Sequence, residues 1–279
     1  MTLTIAASLE KWINSFVDWL SQFTGVFNAI SDGISSIANV FQWIFDLLPA
    51  WLFIVLVLGT TYFSKRHEKK YGLLTFELLG LLYIWVIGYW RDMTQTLTLV
   101  LTSCLIVYII GIPLGIWMAK SNAVQLIVRP ILDFMQTMPA FVYLIPAVAF
   151  FGIGTVPGAI ASIIFAMPPT VRMTNLGIRQ VPTDLVEAAD SYGANGWQKL
   201  IKVQLPLARS TIMAGVSQSL MLALSMVVIA SMIGTLGLGT QVYFAVGRNN
   251  AGAGFTAGLA IVILAIIIDR MSNTLQKKK

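Results

Sequence analysis

Charged side chains are scarce in this sequence, and their scarcity excludes an ordinary soluble domain. Asp, Glu, Lys and Arg make up 11% of the 279 residues, whereas 57% are apolar. Soluble globular chains carry about a quarter charged residues. The polar residues come in clumps, and the intervals between clumps are long enough to cross ~30 Å of hydrocarbon at about 20 residues per helix. The composition therefore predicts an all-α protein embedded in a lipid bilayer.

Potential catalytic and metal-binding residues are scarcer still. His67 is the only histidine and Cys104 the only cysteine. His67 stands in a basic stretch, where we expect a solvated loop residue, and Cys104 stands in an apolar run, where we expect a small buried hydrophobe. One histidine and one cysteine cannot form a metal cluster unless several carboxylates converge on them. We expect no catalytic residue, no metal site and no intramolecular disulfide in this chain.

Signals for nucleotide and nucleic-acid binding are also missing. The stretch nearest to a phosphate-binding loop, residues 115–121, lacks both glycines at the required spacing before its Lys-Ser pair. Aromatic and basic residues do not cluster as they do on nucleic-acid-binding surfaces. We expect neither ATP nor nucleic acid to bind this chain, so an ATPase that drives it would have to be a separate polypeptide.

Long apolar runs predict about seven transmembrane helices. Prolines and a few charges interrupt the runs, and we expect kinks or helix ends at the prolines, because neighbouring segments can satisfy the carbonyls that proline leaves free. The charges favour structural pairing over a proton relay; Asp133, four residues after Arg129, can pair with it along a helix. The runs cover about residues 48–64, 71–90, 94–119, 130–151, 153–171, 207–233 and 254–270, and the interrupting residues are Glu77, Asp133 and Asp269 with Pro113, Pro139, Pro146 and Pro168.

The basic residues give the orientation of these helices. Lys and Arg accumulate on the cytoplasmic side of a membrane protein. If the basic loop 65–70 is inside, alternation of the spans places all of the 18 basic residues inside except Lys11, Arg91 and Arg248. We therefore expect the N-terminus outside and the C-terminus in the cytoplasm.

Residues 8–47 have a different pattern. Apolar residues recur every three or four positions, which indicates amphipathic helix, and Asp18, Asp32 and Asp46 interrupt the sequence. We expect interfacial helices on the outer membrane face; a helix packed against other subunits is the alternative. The first ten residues lack the features of a cleavable signal. The chain thus divides into four regions. They are an amphipathic region (1–47), two added membrane helices (48–91), a membrane core (92–271) with a cytoplasmic loop (172–209), and a basic tail (272–279).

The loop 172–209 is the longest polar interruption and carries signals for two short helices. Thr183 is predicted as the N-cap of the first helix and Gly193 as its stop. Asn195 begins the second helix, which continues until Pro206 opens the next span. The apolar residues of the first helix are predicted to lie on one face: Leu185, Ala188, Ala189 and Tyr192. Spacing alone fits both a hairpin on the bilayer surface and a docking site for a soluble partner, whose Arg or Lys would pair with Glu187.

This loop resembles a known motif. Glu187-Ala188-Ala189, Gly193 four residues later, then Ile201 and the pair Leu205-Pro206 are similar to the EAA loop of permease subunits in binding-protein-dependent ABC importers. The resemblance implies a type I ABC importer permease fold, in which residues 187–193 form a coupling helix that seats in a groove of a cytoplasmic ATPase. The coupling residues that it implies are Glu187, Ala188, Ala189, Asp190, Tyr192, Gly193, Leu205 and Pro206.

The resemblance extends from about residue 94 to residue 270. Residues 136–143, 165–172 and 221–230 are similar to the glycine betaine/proline betaine permeases of osmoprotectant importers, and the N-terminal extension matches the longer members of that group. The resemblance implies a cell-membrane protein that forms the translocation pore as a homodimer. It also implies two copies of an ATPase that holds the ATP and Mg, an extracytoplasmic substrate-binding protein, and no cofactor in this chain.

The sequence specifies the path of the solute less clearly than it specifies the coupling loop. Methionine and aromatic residues could line it, although in membrane helices such residues more often serve packing. The candidates are Met135, Met138, Tyr143, Met167, Met221, Ser225 and Met226. Three alternatives stay open: an ion-coupled carrier of a small zwitterion, a choline or carnitine ABC permease, and a scaffold that recruits a cytosolic protein.

Overall fold

The structure, a computed structural model, describes residues 2–63 and 70–276. The predictions for His67, for the basic residues 65–69 and for the tail residues 277–279 lie outside the described residues. Within the described ranges every regular element is helical, as the sequence predicts. The helices are α1 (Thr2–Ser21), α2 (Thr24–Leu47), α3 (Ala50–Phe63), α4 (Lys70–Val86), α5 (Trp90–Lys120), α6 (Asn122–Thr137), α7 (Leu144–Phe151), α8 (Thr155–Arg179), α9 (Thr183–Ser191), α10 (Gly196–Lys199), α11 (Leu205–Ser231), α12 (Leu238–Gly247) and α13 (Ala251–Gln276).

The centre of the fold is a bundle of α5, α8 and α11. Small residues let these helices approach closely, as is common between membrane helices. A Cβ atom at Gly115 of α5 would come 2.6 Å from Thr174 Cβ of α8, and one at Gly215 of α11 would come 2.6 Å from Met173 Cβ of α8. Helix α8 is therefore clamped between the other two, and the core that they share is buried and apolar.

A second apolar cluster joins α3, α4, α12 and α13 to the start of α5. The hydroxyl of Tyr83 in α4 donates to the Thr256 carbonyl of α13 at 3.2 Å. Glu77 of α4 is fully buried and accepts a hydrogen bond of 2.8 Å from Thr61 of α3. The contact favours the structural pairing expected for Glu77, because it ties the two helices of the added hairpin together.

The number of apolar helices is roughly consistent with the prediction of about seven spans. Some predicted spans, however, are not single straight helices. Among the described residues, four helical stretches are long and apolar enough to cross a membrane: 90–120, 155–179, 196–231 and 251–272. Two further candidates are bent pairs, α2 with α3 at 101° and α6 with α7 at 109°, and α4 is a shorter apolar helix. The predicted run 130–151 is thus two helices and not one. Helix α6 ends at Thr137 because Pro139 restricts Met138 to an extended backbone, with φ −70° and ψ 135°.

Asp133 has a different partner from the one predicted. Its carboxylate forms an ion pair of 2.5 Å with Arg172 of α8, not with Arg129 along its own helix. The prediction of an intrahelical pair is wrong, because α6 packs alongside α8 and Arg172 lies within reach. The ion pair tethers α6 to the central bundle.

The bundle has two distinct ends. At one end, Arg179 donates to the Met118 carbonyl at 2.9 Å and to the Asn122 side chain at 2.8 Å. The residues 180–204 lie at this end, which we call the loop end. At the opposite end, the Gly154 amide donates to the Ile233 carbonyl at 2.9 Å, and the Leu238 amide donates to the Thr96 hydroxyl at 2.9 Å.

Helix α2 lies at the opposite end of the bundle. Thr98 of α5 donates a hydrogen bond of 3.0 Å to Gln42 of α2, and the ring of Phe27 stacks on Phe150 of α7 at 4.8 Å between centroids. Ile34 and Ala38 of α2 are buried. The predicted amphipathic helices are confirmed: α2 covers the bundle with one face, while α1 carries the exposed aromatic side chains Trp12, Phe16 and Trp19, and Phe23 follows between the two helices.

Candidate functional site

The segment between α8 and α11 forms α9, a tight turn and α10. Pro182, with φ −54° and ψ 132°, is the residue that caps α9, and Thr183 is the first residue inside the helix. The predicted N-cap at Thr183 is therefore wrong by one position. Pro182 already has the extended backbone that an N-cap needs, since its ring fixes φ. Asp184 lies in the first turn as predicted.

The turn after α9 depends on a single glycine. Gly193 has φ +75°, and no atom lies within 4 Å of the position that a Cβ would take. Its amide donates to the Asp190 carbonyl at 2.9 Å, and the next amide, that of Ala194, donates to the Ala189 carbonyl at 3.0 Å. Glycine is needed here for its backbone conformation and not for space. The predicted stop at Gly193 is confirmed.

The second short helix starts at the predicted residue and continues without interruption into the next span. Asn195 and Gln198 form a reciprocal cap, with bonds of 2.8 and 3.0 Å between each side chain and the other residue's amide. Helix α10 then passes through a π-helical turn at residues 200–204 into α11. Pro206 cannot donate a backbone hydrogen bond, and the wider turn accommodates this without ending the helix. The prediction that Pro206 opens the next span agrees with α11, which begins at Leu205, but the second short helix is continuous with that span.

One side of this hairpin is fixed to the bundle. Val181, Val186 and Leu200 pack against Ile178 and Ala208 at the loop end. Leu205, one of the predicted coupling residues, is part of the same packing.

An ion pair joins the two short helices. The Lys199 ammonium lies 2.7 and 2.8 Å from the two carboxylate oxygens of Asp190. Asp190, predicted as a coupling residue, is thus engaged within the chain. The hairpin is held both by apolar packing and by this bridge, so its outer side has a defined shape.

The other side of the hairpin is an exposed apolar surface, which we call the loop face. Its large side chains are Leu185, Tyr192, Trp197 and Ile201, of which Tyr192 is 92% exposed and Trp197 is 67% exposed. Ala188 shares this exposure, while Ala189 is half-buried. Contiguous exposed apolar side chains commonly mark interaction surfaces. The predicted face of α9 is therefore directed away from the bundle, except for Ala189.

Glu187 lies beside the loop face rather than in it. Its side chain lines a cleft of about 250 Å³ together with Ala119, Arg179 and Gln204. The carboxylate is exposed and remains accessible to a cation from outside the chain. The cleft joins α9 to the ends of α5 and α8, so a group bound to Glu187 would also contact the central bundle.

The predicted path residues do not form one surface. Tyr143 and Met226 are buried in a cluster that includes Met138. Met135 and Met167 belong to another cluster. The remaining two, Met221 and Ser225, are exposed on α11. Within one copy of the chain, this last pair is the most exposed of the seven, while Met135, Met138 and Met167 are half-buried.

Helix α11 has an exposed stripe that includes this pair. One face of α11 packs on α5 and α8, and the stripe runs along the opposite face. Its members recur every three or four residues: Ser210, Ala214, Gln218, Met221 and Ser225. The sequence prediction missed Ser210 and Gln218. The recurrence of polar and small residues at helical spacing inside an apolar run is the signal that could have identified them.

Comparison with known proteins places this architecture in a family. Residues 111–279 match the family described as the binding-protein-dependent transport system inner membrane component. In fold, the chain is similar to a chain from inward facing structures of the MetNI methionine ABC transporter. The TM-score is 0.62 at 22% identity, over 70% of this chain and 95% of that chain. The type I ABC importer permease fold implied by the EAA-like loop is thus confirmed.

Relatives cover nearly the whole chain. The glycine betaine/carnitine transport permease protein GbuB of Listeria monocytogenes serotype 1/2a (strain 10403S) is 68% identical over 270 residues, which are 97% of this chain and 96% of that protein. The glycine betaine transport system permease protein OpuAB of Bacillus subtilis (strain 168) is 50% identical over 97% of this chain and 95% of its own length. ProW of Escherichia coli (strain K12), a glycine betaine/proline betaine permease protein, is 48% identical over 95% of this chain and 74% of its own length. This chain is a member of the binding-protein-dependent transport system inner membrane component family.

Proposed function

We propose that this chain is the membrane subunit through which an ATP-driven importer moves glycine betaine into the cell. The observation that carries the proposal is the pairing of an EAA-type sequence with an exposed apolar surface at one end of a membrane bundle, in a family whose members work with binding proteins. The relatives named for glycine betaine support the substrate class. Carnitine is the second candidate, because the relative of 68% identity is named for both solutes.

The charge distribution supports a cytoplasmic position for the loop end. The basic residues near this end in the chain are Arg179, Lys199, Lys202 and Arg209. At the opposite end, Arg91 lies in the first turn of α5. Basic residues favour the cytoplasmic side. In this orientation helix α2 lies at the outer face, and α13 ends in the cytoplasm.

The loop face is suited to a soluble ATPase. Tyr192 and Trp197 are large aromatic side chains on a hairpin that the bundle and the Asp190–Lys199 bridge hold in place. Aromatic side chains of this kind often contribute most of the binding energy at protein interfaces. We propose that ATP and Mg bind in the partner, and that closure of the ATPases moves the bundle through Glu187 to Gly193.

The stripe on α11 supports a second copy of the chain as the other wall of the path. Ser210 and Gln218 place polar groups on the outside of a span, where hydrocarbon would offer them no partner. A partner copy would face these groups across a shared, solvated pathway. The proposed importer therefore contains two copies of this chain, two ATPases, and one substrate-binding protein docked at the outer face.

Uptake into proteoliposomes tests the proposal against an ion-coupled carrier. Vesicles that contain this chain, the ATPase and the binding protein are expected to take up labelled glycine betaine only with ATP, and to continue when ionophores collapse proton and sodium gradients. Labelled carnitine, measured in parallel, ranks the second candidate. Uptake that follows an ion gradient without the ATPase would contradict the proposal.

A further inference from the structure

An apolar cavity of about 450 Å³ lies between parts of the two apolar clusters of the fold, which meet at Ile268. Helix α3, the middle of α5, the first half of α11 and the second half of α13 surround it. The wall includes Val57, Leu101, Val216, Leu220 and Leu264. The cavity thus lies between the central bundle and the helices of the second cluster.

The polar side chains in the wall leave little for water to bind. The Tyr108 hydroxyl donates to the Val216 carbonyl at 2.9 Å, and the Thr60 hydroxyl donates to the Val57 carbonyl at 2.8 Å. Ser272 is hydrogen bonded to Ser217 at 3.0 Å. Water occupies a cavity only where several polar partners are available, and apolar cavities stay dry or take an apolar guest. The cavity is therefore suited to an apolar occupant and not to water.

The position and length of the cavity identify that occupant. Leu97 and Tyr108 both line it, and their separation along α5 corresponds to about 16 Å at 1.5 Å per residue. This is about half of the ~30 Å hydrocarbon thickness, which is the depth of one leaflet. Leu56 also lines the cavity and is half exposed, so the cavity reaches the lipid-facing surface beside α3. Hydrocarbon that enters from the bilayer gives up no contact with water.

We propose that one phospholipid acyl chain occupies this cavity and joins the added hairpin α3–α4 to the central bundle. An unfilled cavity would leave the surrounding side chains without packing partners and would lower stability in proportion to its volume. The occupant stands in for the side chains that a direct contact between the two clusters would need. This site is separate from the loop face and from the stripe on α11.

Native mass spectrometry of the full-length protein, purified with its partner subunits and exchanged exhaustively into detergent, tests the proposal. Wild type is expected to retain one phospholipid per chain. Val216→Phe fills the cavity and is expected to reduce the retained lipid at least tenfold, whereas Val262→Phe, the same change at an exposed position on α13, is expected to retain it. Equal retention by the two variants would overturn the proposal, as would a retained detergent or free fatty acid in place of phospholipid.

A second pair of variants and a second measurement keep the proposal testable if one variant does not assemble. Leu101→Phe enters the cavity, while Leu105→Phe lies on the exposed side of the same helix, and the same contrast is expected. In addition, a phosphatidylcholine with a photoreactive diazirine on its acyl chain is expected to label residues 213–220 and 264–272 of the wild-type protein. Labelling confined to the exposed positions of α13, with none on residues 213–220, would contradict an acyl chain in the cavity.

Discussion

The turn at Gly193 provides a quantitative test of the proposed coupling hairpin. Its φ of +75° lies in the left-handed region, where an L-residue costs about 1–2 kcal/mol more than glycine. No atom lies within 4 Å of the added Cβ, so Gly193→Ala changes only the backbone preference. A cost of 1–2 kcal/mol corresponds to a factor of about 5–30 in an equilibrium.

That strain has a defined consequence for the partner. The unbound hairpin can relieve the strain by leaving the turn geometry, which re-aims α9 relative to α10. Binding of the ATPase must then restore the turn, so we expect association to weaken by up to about 5–30-fold in the Gly193→Ala variant. Gly193→Asn is expected to lose less, because asparagine tolerates the left-handed conformation better than alanine.

Gly196→Ala is the matched control for this experiment. Gly196 is three residues from Gly193 and begins α10, and an added Cβ would again have no atom within 4 Å, but the φ of Gly196 is not positive. Association constants for the ATPase, measured by biolayer interferometry on detergent-solubilised protein, should therefore order as Gly196→Ala near wild type, Gly193→Asn lower and Gly193→Ala lowest. Identical constants for both alanine variants would show that the backbone conformation at position 193 does not affect ATPase association.

Three further predictions concern other parts of the chain. Tyr192→Ala removes an exposed aromatic side chain and should weaken ATPase association by more than ~1 kcal/mol without changing the melting temperature, whereas Val186→Ala should lower the melting temperature because it removes packing at the loop end. Asp133→Asn, which breaks a partly exposed pair with Arg172, should cost no more than ~1 kcal/mol in chemical denaturation; a larger loss would show that the pair is buried in the assembled protein. Gln218→Leu should slow uptake about fivefold, the equivalent of one ~1 kcal/mol hydrogen bond, with unchanged ATPase association; unchanged uptake would remove Gln218 from the path.

Local signals in the sequence predicted local structure well. The spacing of apolar residues identified the amphipathic α2, and Gly193 and Asn195 marked the turn of the hairpin because their backbone requirements are intrinsic to those residue types. Proline was harder to interpret. Pro139 follows the end of α6, Pro206 follows a π-helical turn without ending the helix, and Pro113 lies inside α5. These outcomes differ because they depend on which neighbouring groups can satisfy the carbonyls that proline leaves free.

Contacts between distant segments could not be predicted in the same way. Asp133 pairs with Arg172 across 39 positions of sequence, which depends on the packing of α6 alongside α8 and not on any local pattern. For the same reason, helical spacing alone could not separate the buried Met226 from the exposed Met221 on one helix. The hairpin was identified by its motif, whereas the exposed stripe with Gln218 required the packing of α11 to be known.

Cross-linking from the loop face to the ATPase tests the central claim most directly. In a Cys104→Ala background, a cysteine is introduced by Tyr192→Cys at the loop end or by Ile153→Cys, an exposed position at the opposite end. The complete importer is then treated in inside-out vesicles with a bifunctional thiol reagent that targets the ATPase. We expect Tyr192→Cys to cross-link to the ATPase and Ile153→Cys not to. Cross-linking from Ile153→Cys alone, or from neither position in an importer that is active, would contradict this expectation.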